Sequence, residues 1–124
     1  MITNFEEVTH DLTDLELSYT DEVKNYLLGV LGHSPIKQPR LCIMLNNHLI
    51  MNEGNPNISF TPMRLRKFIN HFRSNAILPI IATSEGCYLI YEKVALEKQI
   101  RSLEQRAASI LKASEGLKKI LLTL

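Results

Sequence analysis

The side chains best suited to metal binding or nucleophilic attack in this chain are four histidines and two cysteines. Their spacing argues against both chemistries. His10, His33, His48 and His71 fall in four separate segments. There is no His-x-x-x-His pair, no Cys-x-x-Cys pair and no glycine-rich phosphate loop. Cys42 and Cys87 cannot form a disulfide framework, and read as small core residues of a reducing compartment. A metal ion would need ligands gathered from distant segments, and a Ser or Cys nucleophile with a His partner is equally unsupported. The chain is therefore expected to be no enzyme and to carry no cofactor or metal.

The chemistry that remains is that of charge, and charge is segregated. Residues 1–22 hold seven acids (Glu6, Glu7, Asp11, Asp14, Glu16, Asp21, Glu22) and no Lys or Arg. Residues 54–84 hold four cations (Arg64, Arg66, Lys67, Arg73) and no acid. The formal net charge of +1 conceals this, because a near-neutral total still permits a positive field over the middle of the chain.

The four cations lie on one predicted helix. Ser59-Phe60-Thr61-Pro62 is a helix start: Thr61 can accept from backbone N–H groups, and Pro62 sits where a missing donor costs nothing. Leu65, Phe68, Ile69 and Phe72 then follow at i, i+3, i+4 and i+7, one buried stripe. Arg64, Lys67, Asn70, His71 and Ser74 collect opposite, with Arg66 and Arg73 at the edges. Arg and Lys can neutralise phosphates, and Arg, Asn and His can reach base edges. Lys67 and Asn70 are the expected base readers.

Other elements must position that helix. The chain has 124 residues, the size of one domain with an added helix. Residues 1–12 read as a flexible acidic arm. Asp14 to Leu31 reads as one helix with Thr20 as a cap and Gly32 as its end. Ile36-Lys37 is a short extended link. A second helix starts at Pro39 and runs to about Asn47, and the Asn-, Gly- and Pro-rich residues 46–57 read as a loop. After the basic helix, residues 77–82 and 87–91 are β-prone runs around the turn Thr83-Ser84-Glu85-Gly86, a β-hairpin. Pro79 cannot donate to a ladder, so the first strand is an edge.

The stretch from Arg64 to Tyr91, RLRKFINHFRSNAILPIIATSEGCYLIY, resembles the winged-helix proteins of phages and prophages. The residues carrying the resemblance are Arg64, Arg66, Phe72, Arg73, Leu78, Pro79, Ile80, Ser84, Gly86, Tyr88 and Leu89. It covers about residues 15–110. It implies an α+β, mainly helical winged helix-turn-helix domain over residues 13–91. It also implies a double-stranded DNA partner and a place in the cytoplasm of a bacterial host cell. Thr61, Arg64, Arg66, Lys67, Asn70, His71, Arg73, Ser74, Thr83 and Ser84 are the residues expected at the DNA. One departure is the link of about a dozen residues between the second and third helices, where the compact motif has three or four.

Residues 92–124 form a third pattern. Leu96, Ile100, Leu103, Ala107, Ile110, Ser114, Leu117, Leu121 and Leu124 alternate spacings of four and three, a coiled-coil-like seam with one polar position. Either the helix pairs with a copy of itself, through Leu96, Ile100, Leu103, Ala107, Ile110, Leu117 and Leu121, or it folds back onto the first helix. Its length favours a homodimer. No run approaches the ~18 apolar residues of a membrane span, and the acidic start lacks the basic n-region of a secretory signal. The expected function is transcriptional regulation or replication-origin recognition. The competing one is a winged-helix scaffold that binds a host or phage protein, through the acidic arm or the long helix.

Overall fold

Leu12, Glu16, Tyr19, Val23 and Leu27 recur at spacings of three and four, and all five are buried. They form the inner face of two successive helices, α1 (Asp14–Leu17) and α2 (Thr20–Val30). The computed structural model describes residues 11–32 and 34–124. Most of the expected acidic arm, residues 1–10, lies outside the described residues, as do His10 and His33. Leu12, assigned to the arm by its charged neighbours, belongs instead to the core.

The expected single helix from Asp14 is interrupted at Ser18-Tyr19. Thr20, expected to cap the turn of Asp21 and Glu22, instead opens α2 and donates its hydroxyl to the Leu17 carbonyl at 2.8 Å, and the capped start is that of α1, at Thr13. The Thr13 side chain accepts from the Glu16 backbone N–H at 3.2 Å, and Glu16 Oε1 accepts from the Thr13 N–H at 2.9 Å. This reciprocal box satisfies two donors that a helix start otherwise leaves open.

The second helix, α3 (Gln38–Glu53), has Pro in its first turn as expected but continues well past Asn47. The reason is the buried face. Leu41, Cys42, Leu45 and Leu49 keep helical spacing straight through the Asn-rich stretch. Asn46 does not break the helix, because its amide is used across the fold. It accepts from the Phe60 N–H at 2.6 Å and donates to the Phe60 carbonyl at 3.1 Å. Gly54 ends the helix at φ 74°, a backbone region that disfavours side chains. The link to the next helix is therefore residues 54–61, shorter than the expected dozen.

That next helix, α4 (Pro62–Ser74), starts as read: Thr61 caps it and Pro62 occupies the first turn. Its buried residues are Leu65, Phe68, Ile69 and Phe72. Phe68 stacks obliquely on both Phe60 and Phe72, at centroid separations of 5.1 and 6.1 Å. The chain then enters the hairpin, β1 (Ile80–Thr83) and β2 (Gly86–Leu89), paired antiparallel from Ile80–Leu89 to Thr83–Gly86.

Ile36, expected in a short extended link, pairs with Cys87 on the side of β2 away from β1. The Ile36 N–H donates to the Cys87 carbonyl at 2.9 Å and the Cys87 N–H to the Ile36 carbonyl at 2.8 Å. Gly86 makes that approach feasible. At φ 131°, a Cβ there would lie 2.5 Å from the Ile36 carbonyl carbon and oxygen. The last element is α5 (Lys93–Leu121), a helix with no buried residue. The chain divides after Ile90 into two compact units, the second being residues 91–124. The protein is thus mainly helical, with a small sheet and a long C-terminal helix. Among the described residues no helix is long and apolar enough to cross a membrane.

Candidate nucleic-acid interface

At about 100° per residue, the four apolar residues of α4 fix which side faces the core, and the other positions follow. Met63 and Ser74 point most directly away from it, with Asn70 and Lys67 about 30° to either side. Arg66 and Arg73 share one flank, and Arg64 and His71 share the other, with Lys67 between His71 and the outward side. Met63 and Ser74 are exposed, whereas Arg64, Arg66, Lys67, Asn70, His71 and Arg73 are all half-buried.

The Arg64 flank is occupied by an acid from α1. Glu16 Oε2 accepts from Arg64 Nε at 2.7 Å, and Glu16 Oε1 accepts from Lys67 Nζ at 2.6 Å. Arg64 also donates from Nη1 to the Ser59 carbonyl at 2.8 Å, so its guanidinium bridges α1 and the loop before α4. Glu16 is only 1% exposed, while the Arg64 and Lys67 side chains are 33% and 16% exposed. Burial by itself raises the Glu16 pKa. Hydrogen bonds from Lys67, the Thr13 backbone and Arg64 outweigh it and hold the pKa at about 2, against the usual 4.5. The carboxylate is therefore ionised throughout the neutral range. Beside it, Ser59, Thr61 and Met63 complete the wall of a small open cavity of about 200 Å³.

This pairing revises the expected reading face. Lys67, expected at base edges, has its ammonium committed to Glu16, and Arg64 is committed likewise. Asn70 remains on the outward side, where its Oδ1 lies 3.5 Å from the Ser74 hydroxyl. His71 sits edge-on to Phe72 at 5.8 Å, and its Nδ1 lies 3.3 Å from the Asn75 amide nitrogen. Thr61 is exposed, and its hydroxyl accepts from the Arg64 N–H at 3.3 Å. At the hairpin tip Thr83 accepts from the Glu85 N–H at 3.2 Å, and Ser84 is exposed.

Glu16 was missed as a partner, although two signals mark it in the sequence. Thr13-x-x-Glu16 is a capping-box pattern. Glu16 also falls on the apolar stripe of Leu12, Tyr19 and Val23, where a lone acid demands a cation.

The two thiols, Cys42 on α3 and Cys87 on β2, are buried in the core. Burial raises the Cys87 pKa to about 11, reinforced by Cys42 and opposed by Arg73, and burial also raises that of Cys42. Both stay protonated at neutral pH, which removes the form that attacks or ligates. Among the described residues no group of three His, Cys, Asp or Glu is placed to hold a metal ion.

Of the expected seam on α5, Ile100 is 47% exposed, Leu117 67% and Leu121 68%. Leu96 and Leu103 are half-buried, and Ala107 and Ile110 count as exposed. The chain matches no protein-family model, no curated protein and no solved structure.

Proposed function

We propose that residues 11–90 form a winged-helix unit that binds double-stranded DNA through α4 and the β1–β2 hairpin. On this reading α5 pairs two copies of the chain. The observation that carries the proposal is the order of elements around β2: helix, Ile36 bridge, helix, basic helix, hairpin, with Ile36 and β1 on opposite sides of β2. That order supports a winged helix more than an arbitrary helical domain with a hairpin. The acid-free segment 54–84 adds the charge such a unit needs.

In this reading α4 enters the major groove. Asn70 and Ser74 address base edges, Arg66 and Arg73 address phosphates along one rail, and Thr83 and Ser84 meet the flanking backbone. Expression control or origin recognition in a phage or prophage, inside a bacterial cell, is the corresponding role. The Glu16 contact favours a second reading, a scaffold that binds a protein. Arg64 and Lys67, at the start of the basic helix, are already answered by an acid within the fold.

The salt dependence of binding to a random-sequence duplex separates the two. With four to six phosphate contacts per dimer, log K falls against log salt with a slope of about −3.6 to −5.4. A slope near zero, or no binding at low salt, rejects the DNA reading in favour of the scaffold.

A further inference from the structure

The 29 residues of α5 make a helix about 43 Å long with no buried side chain. A helix of this kind owes most of its stability to packing of its apolar face. The alternating spacing puts Leu96, Leu103, Ile110 and Leu117 at one core position of a heptad and Ile100, Ala107, Ser114 and Leu121 at the other. From the chemistry of this seam we propose that α5 pairs with a second copy of itself in antiparallel orientation. The proposal rests on the reading that α5 is a dimerisation helix, and adds its direction.

The first argument is volume. In a parallel pair each core residue faces its own copy. Ala107 would then meet Ala107 and Ser114 would meet Ser114, leaving a thin layer on each side of the bulky Ile110 layer. Such gaps forfeit packing contacts. In an antiparallel pair the two core positions face each other. With the two-fold axis between residues 108 and 109, Ala107 meets Ile110 of the second copy and Ser114 meets Leu103. The outer layers become Ile100 with Leu117 and Leu96 with Leu121. Each small residue is answered by a large one. The overlap spans residues 96–121, nearly the whole of Lys93–Leu121.

Charge gives the second argument. The positions flanking the seam on one side are Glu97, Glu104, Leu111 and Lys118, and on the other Gln99, Arg106, Ala113 and Ile120. A parallel pair matches a residue of the second set with one five places later in the first. It joins Gln99 to Glu104, Arg106 to Leu111 and Ala113 to Lys118, with no pair of opposite charges. An antiparallel pair matches each set with itself. Glu97 then faces Lys118 of the second copy, twice over by symmetry. Both arguments select the same direction and the same register. The two Lys93 ends, where each chain enters from its first unit, then lie about 46 Å apart along the axis.

Spin labels on the outer face of α5 test this in the full chain. Cys42 and Cys87 are buried and leave introduced thiols as the accessible ones. Gln105→Cys and Lys98→Cys both place the label opposite the seam. Antiparallel pairing offsets the two 105 labels by about 10 Å along the axis and the two 98 labels by about 31 Å. The expected result is a clearly shorter dipolar distance at 105 than at 98. Equal distances at the two sites, in a chain that light scattering shows to be dimeric, overturn the antiparallel direction but leave dimerisation intact. A monomer by light scattering, with no dipolar coupling at either site, overturns the dimer itself.

Discussion

The Glu16 carboxylate grips Arg64 Nε at 2.7 Å across 48 residues of sequence. It sits where a phosphate oxygen would sit if Arg64 and Lys67 served DNA. The Arg64 Nε and Lys67 Nζ donors cannot serve the carboxylate and a phosphate at once, so the contact sets how strongly the start of α4 attracts an anion. Two long side chains held by one buried acid are also preorganised, which limits the entropy lost if DNA takes the place of Glu16.

Replacing Glu16 by Gln removes the charge but keeps the shape. If the acid restrains duplex binding, Glu16→Gln binds random duplex about tenfold more tightly at low salt, the worth of one charge-assisted hydrogen bond. Its salt slope also steepens by about 0.9 for each cation released to the backbone. Fluorescence anisotropy across a salt series measures both. Unchanged affinity and slope would assign Arg64 and Lys67 to holding α1 in place and nothing more.

The same residue controls acid stability. Its pKa in the fold is about 2, below the usual 4.5. A depressed pKa stabilises the fold fully above the unfolded value and loses that stabilisation as the pH falls through the folded value. Urea titrations from about pH 6 to about pH 3 are therefore expected to show the wild type losing stability in this window. Glu16→Gln is expected to start about 1–3 kcal/mol lower and to decline less steeply there. Parallel curves for the two proteins would remove Glu16 as the source.

Gly86 and Gly29 make opposite predictions. An alanine at 86 must hold φ 131° and drive its Cβ against the Ile36 backbone. Gly86→Ala should cost about 2–4 kcal/mol in urea denaturation, through strain and loss of the Ile36 pairing. Gly29 lies inside α2 with nothing within 4 Å of its would-be Cβ. Gly29→Ala should stabilise by about 0.5–1 kcal/mol. If Gly86→Ala is as stable as wild type, the close passage of Ile36 over β2 is wrong.

On the proposed DNA reading, Asn70 and Arg73 separate base reading from positioning. A base contact discriminates by about 1–3 kcal/mol, whereas a phosphate contact weakens all sequences alike. Selection from a random duplex pool should return relaxed sites with Asn70→Ala. With Arg73→Ala it should return wild-type sites, bound more weakly and with a salt slope smaller by about one. Wild-type information content from Asn70→Ala would move the reading role to the hairpin.

Much of the fold could be read residue by residue. Thr61-Pro62 and the stripe of Leu65, Phe68, Ile69 and Phe72 specify the start and buried face of α4, and the Thr83–Gly86 turn specifies the hairpin. The three-and-four spacing from Leu96 specifies α5. Each of these is encoded within a turn or two of chain, where capping, φ preference and periodic burial act locally.

Tertiary structure alone decided the rest. Composition made the Asn-rich residues 46–53 a loop, but burial of Leu49 and the Asn46 clamp on Phe60 kept them helical. Ile36 became a strand partner only because β2 offered it an open edge and Gly86 left room for its backbone. Four cations in one acid-free segment looked available to a ligand, yet two of them meet an acid from a helix about fifty residues earlier. Local chemistry determines which groups can pair, but the fold determines which are near enough to do so.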